Sequence, residues 1–312
     1  MNLPINFIHI PKTAGTSFRV ALEKKYGSKN ILRDYTPRAA ETSKKVKEII
    51  YSHDDFYALK LLLSSRNFVA IAGHYFAEKY SKIIPVSEMV AFVREPVSRI
   101  ISEHNHFIRH AGYQKSLIEF AQEKININKQ SRYLQGIPYT AIGLVGVTEY
   151  YSESINLFNK IYKKNIVEFR DNQGPNGPGK SIVTIDNDII DEIKRLNIDD
   201  IVLYEKLVAL HKQRIKFFKA RQDFTYGGYK IVGGRIEGWA YQANNNKALT
   251  IEIFKSKLKV CELTSNKYNL ELAQLGSPRS GYIGFYYNLK KSEYKAEFIC
   301  VVKETGQRLS LI

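Results

Sequence analysis

Lys12, Gly15, Thr16 and Ser17 stand in the run Ile5-Asn6-Phe7-Ile8-His9-Ile10-Pro11-Lys12-Thr13-Ala14-Gly15-Thr16-Ser17-Phe18, an apolar strand that enters a small-residue loop and then opens a helix. These residue types in this order build an anion cradle. Backbone N–H groups at a helix N-terminus have no partner within the helix, and the helix dipole favours negative charge there. Across Thr13, Ala14, Gly15, Thr16 and Ser17 such groups would face a phosphate, Gly15 lets the backbone approach closely, and Lys12 adds a full positive charge. The helix expectation rests on Phe18, Ala21, Leu22 and Tyr26, which share one face, with Thr16 and Ser17 suited to the cap. Because Lys12 precedes Gly15, the spacing differs from the nucleotide-triphosphate loop, whose lysine follows its last glycine.

A second strand with a charged turn is Met89-Val90-Ala91-Phe92-Val93-Arg94-Glu95-Pro96-Val97-Ser98-Arg99-Ile100-Ile101-Ser102, with Pro96 set for the first turn of a helix. Arg94 can fork two N–H groups onto a phosphate, and the Ser102 hydroxyl, two turns into the helix, can reach the same oxygens if the helix leans over the ligand. His74 follows Gly73 directly after an apolar strand. Its residue type suits a general base near neutrality, although by position alone a structural histidine is the better reading.

Pro-Lys-Thr-Ala-Gly-Thr-Ser after a short strand resembles the 5′-phosphosulfate-binding loop of the sulfotransferases related to heparan sulfate 2-O- and uronosyl 2-O-sulfotransferases. In that family an arginine and a serine spaced as Arg94 and Ser102 bind the 3′-phosphate of 3′-phosphoadenosine 5′-phosphosulfate (PAPS), and a Gly-His-x-aromatic segment like Gly73-His74-Tyr75-Phe76 carries the catalytic base. The likeness runs more loosely through 128–134, 145–149 and 203–205, and covers roughly residues 5 to 220. It implies a P-loop-like three-layer α/β fold with a central parallel sheet. It also implies transfer of a sulfuryl group from PAPS to a carbohydrate hydroxyl, with His74 and Lys12 catalytic and no metal. Other members carry a second histidine where this chain has Ala72, which predicts that no second histidine shares the role.

Apolar runs near 5–10, 68–72, 89–93 and 143–147 alternate with helical stretches, the pattern of a parallel sheet with crossover helices. A long amphipathic helix is predicted from Asp200 to Gln222. Beyond it, Gly227-Gly228 and Gly233-Gly234 break the chain, and short alternating runs at 249–254, 258–263, 282–287 and 296–302 predict a small all-β, sandwich-like part. The expected division is 1–224 for the sulfotransferase domain and 225–312 for an accessory β domain. Trp239 reads as a core residue of that part, with sugar stacking the alternative.

The chain has 312 residues, of which 44% are apolar and 25% charged, and a net charge of +16. Up to Phe224 there are 34 basic against 24 acidic residues, and beyond it 13 against 7, so the charge marks neither part. It reads either as a lysine-rich solvated surface or as a field that gathers anionic ligands. No zinc-finger, helix-turn-helix or ribonucleoprotein motif accompanies it, so no specific nucleic-acid partner is expected, and peripheral membrane contact stays open. Neither a membrane span nor a leader is evident ahead of Ile5, which predicts a cytoplasmic protein. Cys261 and Cys300 are too few for a zinc site and read as small apolar residues, one facultative bridge between them being conceivable.

Two other motifs compete for function. Gly174-Pro175-Asn176-Gly177-Pro178-Gly179-Lys180-Ser181 matches the nucleotide-triphosphate loop, which would make a kinase. The β-branched run Ile182-Val183-Thr184-Ile185 is a poor helix start, and Pro175 and Pro178 remove N–H groups such a nest needs. The stretch reads better as a loop closing over the donor with Lys180 as an extra phosphate contact, or as plain surface. His106 and His110 have metal-ligand spacing on one helix without an evident third ligand. A non-catalytic glycan-binding protein, acting through the β part, is the remaining alternative.

Overall fold

The computed structural model describes residues 4–65, 68–169, 185–243, 245–294 and 296–312. Strands β1 (Ile5–Ile8), β2 (Ile31–Asp34), β3 (Ala70–Gly73), β4 (Met89–Val93) and β5 (Leu144–Val147) form one sheet in the order β2-β3-β1-β4-β5. All four pairings are parallel. β2 has no counterpart among the predicted strands; the other four lie where the apolar runs put them.

Period-two alternation splits these strands between two cores. Ile5 and Phe7, Ala70 and Ala72, and Val90 and Phe92 face a core closed by helix α1 (Gly15–Tyr26) through Phe18, Ala21 and Leu22, and by the helix Tyr151–Ile161 through Ile155 and Phe158. Ile8, Ile71, Ala91, Val93 and Val145 face the other core. Leu59 and Leu63 of the helix Phe56–Ser65 and Leu207 of the helix Ile198–Lys219 close that side. The chain therefore leaves β1 toward β2 on one side and leaves β4 toward β5 on the other. Between the carboxyl ends of β1 and β4 lies the topological switch point where open α/β sheets bind ligands.

The C-terminal part holds two further sheets. One has the order β10-β11-β7-β6-β14 and the other β13-β12-β8-β9. Their strands are β6 (Tyr226–Val232), β7 (Arg235–Tyr241), β8 (Thr250–Lys255), β9 (Leu258–Thr264), β10 (Lys267–Tyr268), β11 (Tyr282–Asn288), β12 (Phe298–Val302), β13 (Gln307–Arg308) and β14 (Ser310–Leu311). Ile236, Ile251, Ile253, Phe285, Cys300 and Val302 fill the space between the sheets. A short helix, Leu270–Gln274, interrupts the strands.

This part shares a core with the α/β part. Tyr226, Trp239, Tyr241, Leu272, Leu275 and Ile283 belong to the same cluster as Ile8, Ile71 and Val145. Trp239 is accordingly buried. The fully desolvated Arg214 sits at the junction, donating to the carbonyls of Gly143 (2.9 Å) and Ile142 (3.0 Å). Its guanidinium lies over the rings of Phe224 and Tyr226.

Cys261 and Cys300 are both free thiols and both lie opposite Ile253, on the strands flanking β8. Two strand spacings, about 9–10 Å, separate them, beyond the reach of a disulfide, so the facultative bridge is excluded. No helix among the described residues is long and apolar enough to cross a membrane.

Candidate active site

β1 ends in a loop that bends twice through left-handed backbone, at Lys12 (φ 65°) and Ala14 (φ 64°). For residues with a Cβ each such turn costs about 1–2 kcal/mol, and together they curl the N–H groups into a concave nest. The Thr13 hydroxyl ties the loop down from inside by donating to the Ile10 carbonyl at 2.9 Å. Helix α1 begins at Gly15 with Ala14 as N-cap, no side-chain cap and no acidic residue in its first turn. Thr16 and Ser17 lie inside the helix and not at the expected cap position. The N-terminal dipole is thus uncompensated by any carboxylate of its own. A Cβ on Gly15 would overlap Cδ2 and Nε2 of His9, so glycine is required there by close approach.

The turn after β4 is held differently. Gln130 clamps the Arg94 backbone, its Oε1 accepting from Arg94 N–H (2.8 Å) and its Nε2 donating to the Arg94 carbonyl (2.9 Å). The Arg94 guanidinium lies 3.5 Å from the Lys12 carbonyl, which links the two turns. Glu95 caps its own helix, Pro96–Ala111, by accepting from Val97 and Ser98 N–H at 3.0 and 2.7 Å. That helix start is therefore closed to an outside anion, and Ser102 is the residue through which the helix faces the ligand space.

Lys12, Ala14, Gly15, Thr16, Ser17, Arg94 and Ser102 line one cavity of about 530 Å³. Thr13 is buried beneath it. Burial and the nearby guanidinium groups of Arg109 and Arg94 lower the pKa of Lys12, against a smaller opposing effect of the Glu103 carboxylate. The far wall was not read from the sequence: Thr148, Glu149, Tyr151, Ser152 and Glu153 follow β5, and Thr148 is pinned by donating to the Val93 carbonyl at 2.9 Å. The polar residues after an apolar strand were the available signal. Lys180 lies outside the described residues, as does the whole run 174–181.

His74 leaves the end of β3 and its Nδ1 lies 2.5 Å from the His9 carbonyl. A carbonyl only accepts, so Nδ1 carries the proton and the neutral ring presents its lone pair at Nε2. The two imidazoles are 4.5 Å apart between centroids. His9 borders the cavity of Lys12 and Arg94, whereas His74 borders a second cavity of about 910 Å³. Ala72 leaves no second histidine on β3, but His9, just beyond the end of the neighbouring strand β1, lies beside His74. His9 also meets the Tyr35 hydroxyl at 3.1 Å through Nδ1. Burial holds His9 well below its ordinary pKa, with His74, Arg19 and Lys12 adding to the effect. Desolvation lowers His74 as well, against the opposing bond to the His9 carbonyl.

Of the histidines, only His9 and His74 line the two cavities, although His106 lies close enough to Lys12 to feel its charge. The His106 and His110 rings lie 4.6 Å apart on the exposed side of their helix. Among the described residues no group of three His, Cys, Asp or Glu side chains gathers at metal-binding distance.

Residues 2–139 match the model of the Sulfotransferase family, and this stretch contains both turns and His74. No curated protein matches the chain. Among solved structures, the chain is similar to a sulfotransferase from Alicyclobacillus acidocaldarius, at 16% identity and a TM-score of 0.38, over 67% of this chain and 96% of that one.

Proposed function

We propose that the protein is a PAPS-dependent O-sulfotransferase that sulfates a carbohydrate hydroxyl, with His74 as general base. The observation that carries this reading is the single cavity lined by Lys12, the start of α1, Arg94 and Ser102. Its volume is of nucleotide size, and although Glu149 and Glu153 also line it, Lys12, Arg94, Ser102 and the first-turn N–H groups of α1 are cations and donors suited to two phosphates. Lys12 and the first-turn N–H groups of α1 would hold the 5′-phosphate, and Arg94 with Ser102 the 3′-phosphate. The donor, when bound, supplies an activated sulfuryl group to an oxygen nucleophile.

The remaining work belongs to the chain. His74 Nε2 accepts the proton of the acceptor hydroxyl, because Nδ1–H is committed to the His9 carbonyl. Its lowered pKa keeps the ring neutral at pH 7, and a base so placed contributes about a hundredfold to ten-thousandfold. The uncapped start of α1 and Lys12 provide fixed positive potential that needs no reorganisation as negative charge grows nearby.

A thermal-shift comparison of nucleotides tests the reading. Desulfated donor, 3′-phosphoadenosine 5′-phosphate (PAP), raises the melting temperature without magnesium, whereas magnesium ATP does not. Stabilisation by magnesium ATP alone would instead indicate a kinase.

A further inference from the structure

The cavity that receives His74 has walls from both parts of the chain. Phe76 is 51% exposed there and meets Tyr133 edge to face at 5.4 Å. Across from them stand Glu271 and Gln274 of the short helix Leu270–Gln274. That helix is fixed in place: Leu272 and Leu275 are buried, the Leu275 carbonyl accepts from Val86 N–H at 2.8 Å, and Gly276 (φ 69°) backs onto Pro85. On the helix's other side lies a cavity of about 410 Å³ that Glu271 also borders. Tyr268 (55% exposed) and Tyr286 (46% exposed) line it, the Arg235 guanidinium lying 5.3 Å over the Tyr286 ring.

Several of the charges along this track are held in ion pairs. Lys79 is committed to Asp34 at 2.6 Å, and Lys230 and Arg235 share Glu237 at 3.3 and 2.6 Å. Glu78 and Glu271 offset Lys82 and Lys267, which brings the lining close to neutral on a chain whose net charge is +16. A polyanion would meet the carboxylates of Glu78 and Glu271 beside His74. Exposed aromatic faces alternating with carboxylate and amide acceptors suit the C–H faces and hydroxyls of uncharged sugars.

We infer that the acceptor is an uncharged oligosaccharide. Its target sugar lies between His74 and Phe76, and its further units cross the helix Leu270–Gln274 onto Tyr268 and Tyr286. The inference rests on the sulfotransferase reading and gives the C-terminal part a role as half of the acceptor site.

Glycans from the producing cell, separated by anion exchange into neutral and acidic pools, are offered with radiolabelled PAPS to the full-length protein. Label enters the neutral pool. On fragments of that product, Phe76→Ala raises the acceptor KM for short and long chains alike. Tyr268→Ala raises it about two- to tenfold for long chains alone, the value of one aromatic face, and neither variant changes PAP affinity. Label confined to the acidic pool, label in neither pool while PAP binds, or an unchanged long-chain KM in Tyr268→Ala overturns the inference. Failure to bind PAP at all overturns the donor reading beneath it.

Discussion

His74 donates its Nδ1–H to the backbone carbonyl of His9 at 2.5 Å, and the two imidazoles stand 4.5 Å apart at the ends of neighbouring parallel strands. One ring borders the cavity of Lys12 and Arg94, and the other borders the cavity of Phe76. On the proposed reading, His74 would stand between the donor space and the acceptor space, where the transferred group would pass.

Replacing His74 with alanine removes the base and leaves the walls of the donor cavity in place. Turnover in His74→Ala falls about a hundredfold to ten-thousandfold while PAP affinity stays within about twofold, as read by initial rates and calorimetry. Because desolvation lowers the His74 pKa, the acid limb of kcat/KM in the native protein has its midpoint below about pH 6.5, the ordinary histidine value. A variant that retains most of its turnover removes His74 from the role.

Acid sensitivity of the fold follows from His9. Its pKa is depressed in the folded protein, so below about pH 6.5 the unfolded chain takes up a proton that the folded chain does not, and stability falls as pH falls toward the folded pKa. His211, pushed down to about 4 by burial, acts in the same direction over the same window. Urea unfolding at stepped pH shows the loss. His9→Gln, which cannot titrate, makes the profile shallower between about pH 6.5 and 4.

Gly15→Ala places a Cβ against Cδ2 and Nε2 of the His9 ring. Relieving that overlap moves either the start of α1 or His9, at a cost of about 1–3 kcal/mol in stability. PAP affinity falls with it, because the first-turn N–H groups move with the helix. Thermal unfolding and calorimetry on the one variant measure both effects, and an unchanged PAP affinity contradicts the cradle.

Both ligand-facing turns were legible because each follows an apolar strand and is punctuated by local chemistry: Pro11, Lys12 and Gly15 in one, Arg94 and Pro96 in the other. The two buried faces of the sheet follow from period-two alternation, readable in Met89–Val93 once its neighbours are known. What the sequence withheld is non-local. His9 sat in view within the first motif, yet its partnership with His74 depends on β1 pairing with β3. The wall from Thr148 to Glu153 depends on β5 lying beside β4. The helix Leu270–Gln274 carries too few residues for a periodic signal, and its place against Pro85 and Val86 is set by the shared core. The α1 cap was misplaced because Thr16 and Ser17 are good capping types, whereas the loop uses left-handed Ala14 instead.

The central claim is that Arg94 reads a 3′-phosphate while the α1 cradle holds the 5′-phosphate. Calorimetric titration of PAP and of adenosine 5′-monophosphate into native protein and Arg94→Ala tests it most directly. In the native protein PAP binds tighter than the monophosphate. In Arg94→Ala, PAP weakens by about 1.5–3 kcal/mol, the worth of a charged hydrogen bond, while the monophosphate barely changes, so the gap closes. An equal loss for both nucleotides, or a native protein that does not distinguish them, contradicts the account.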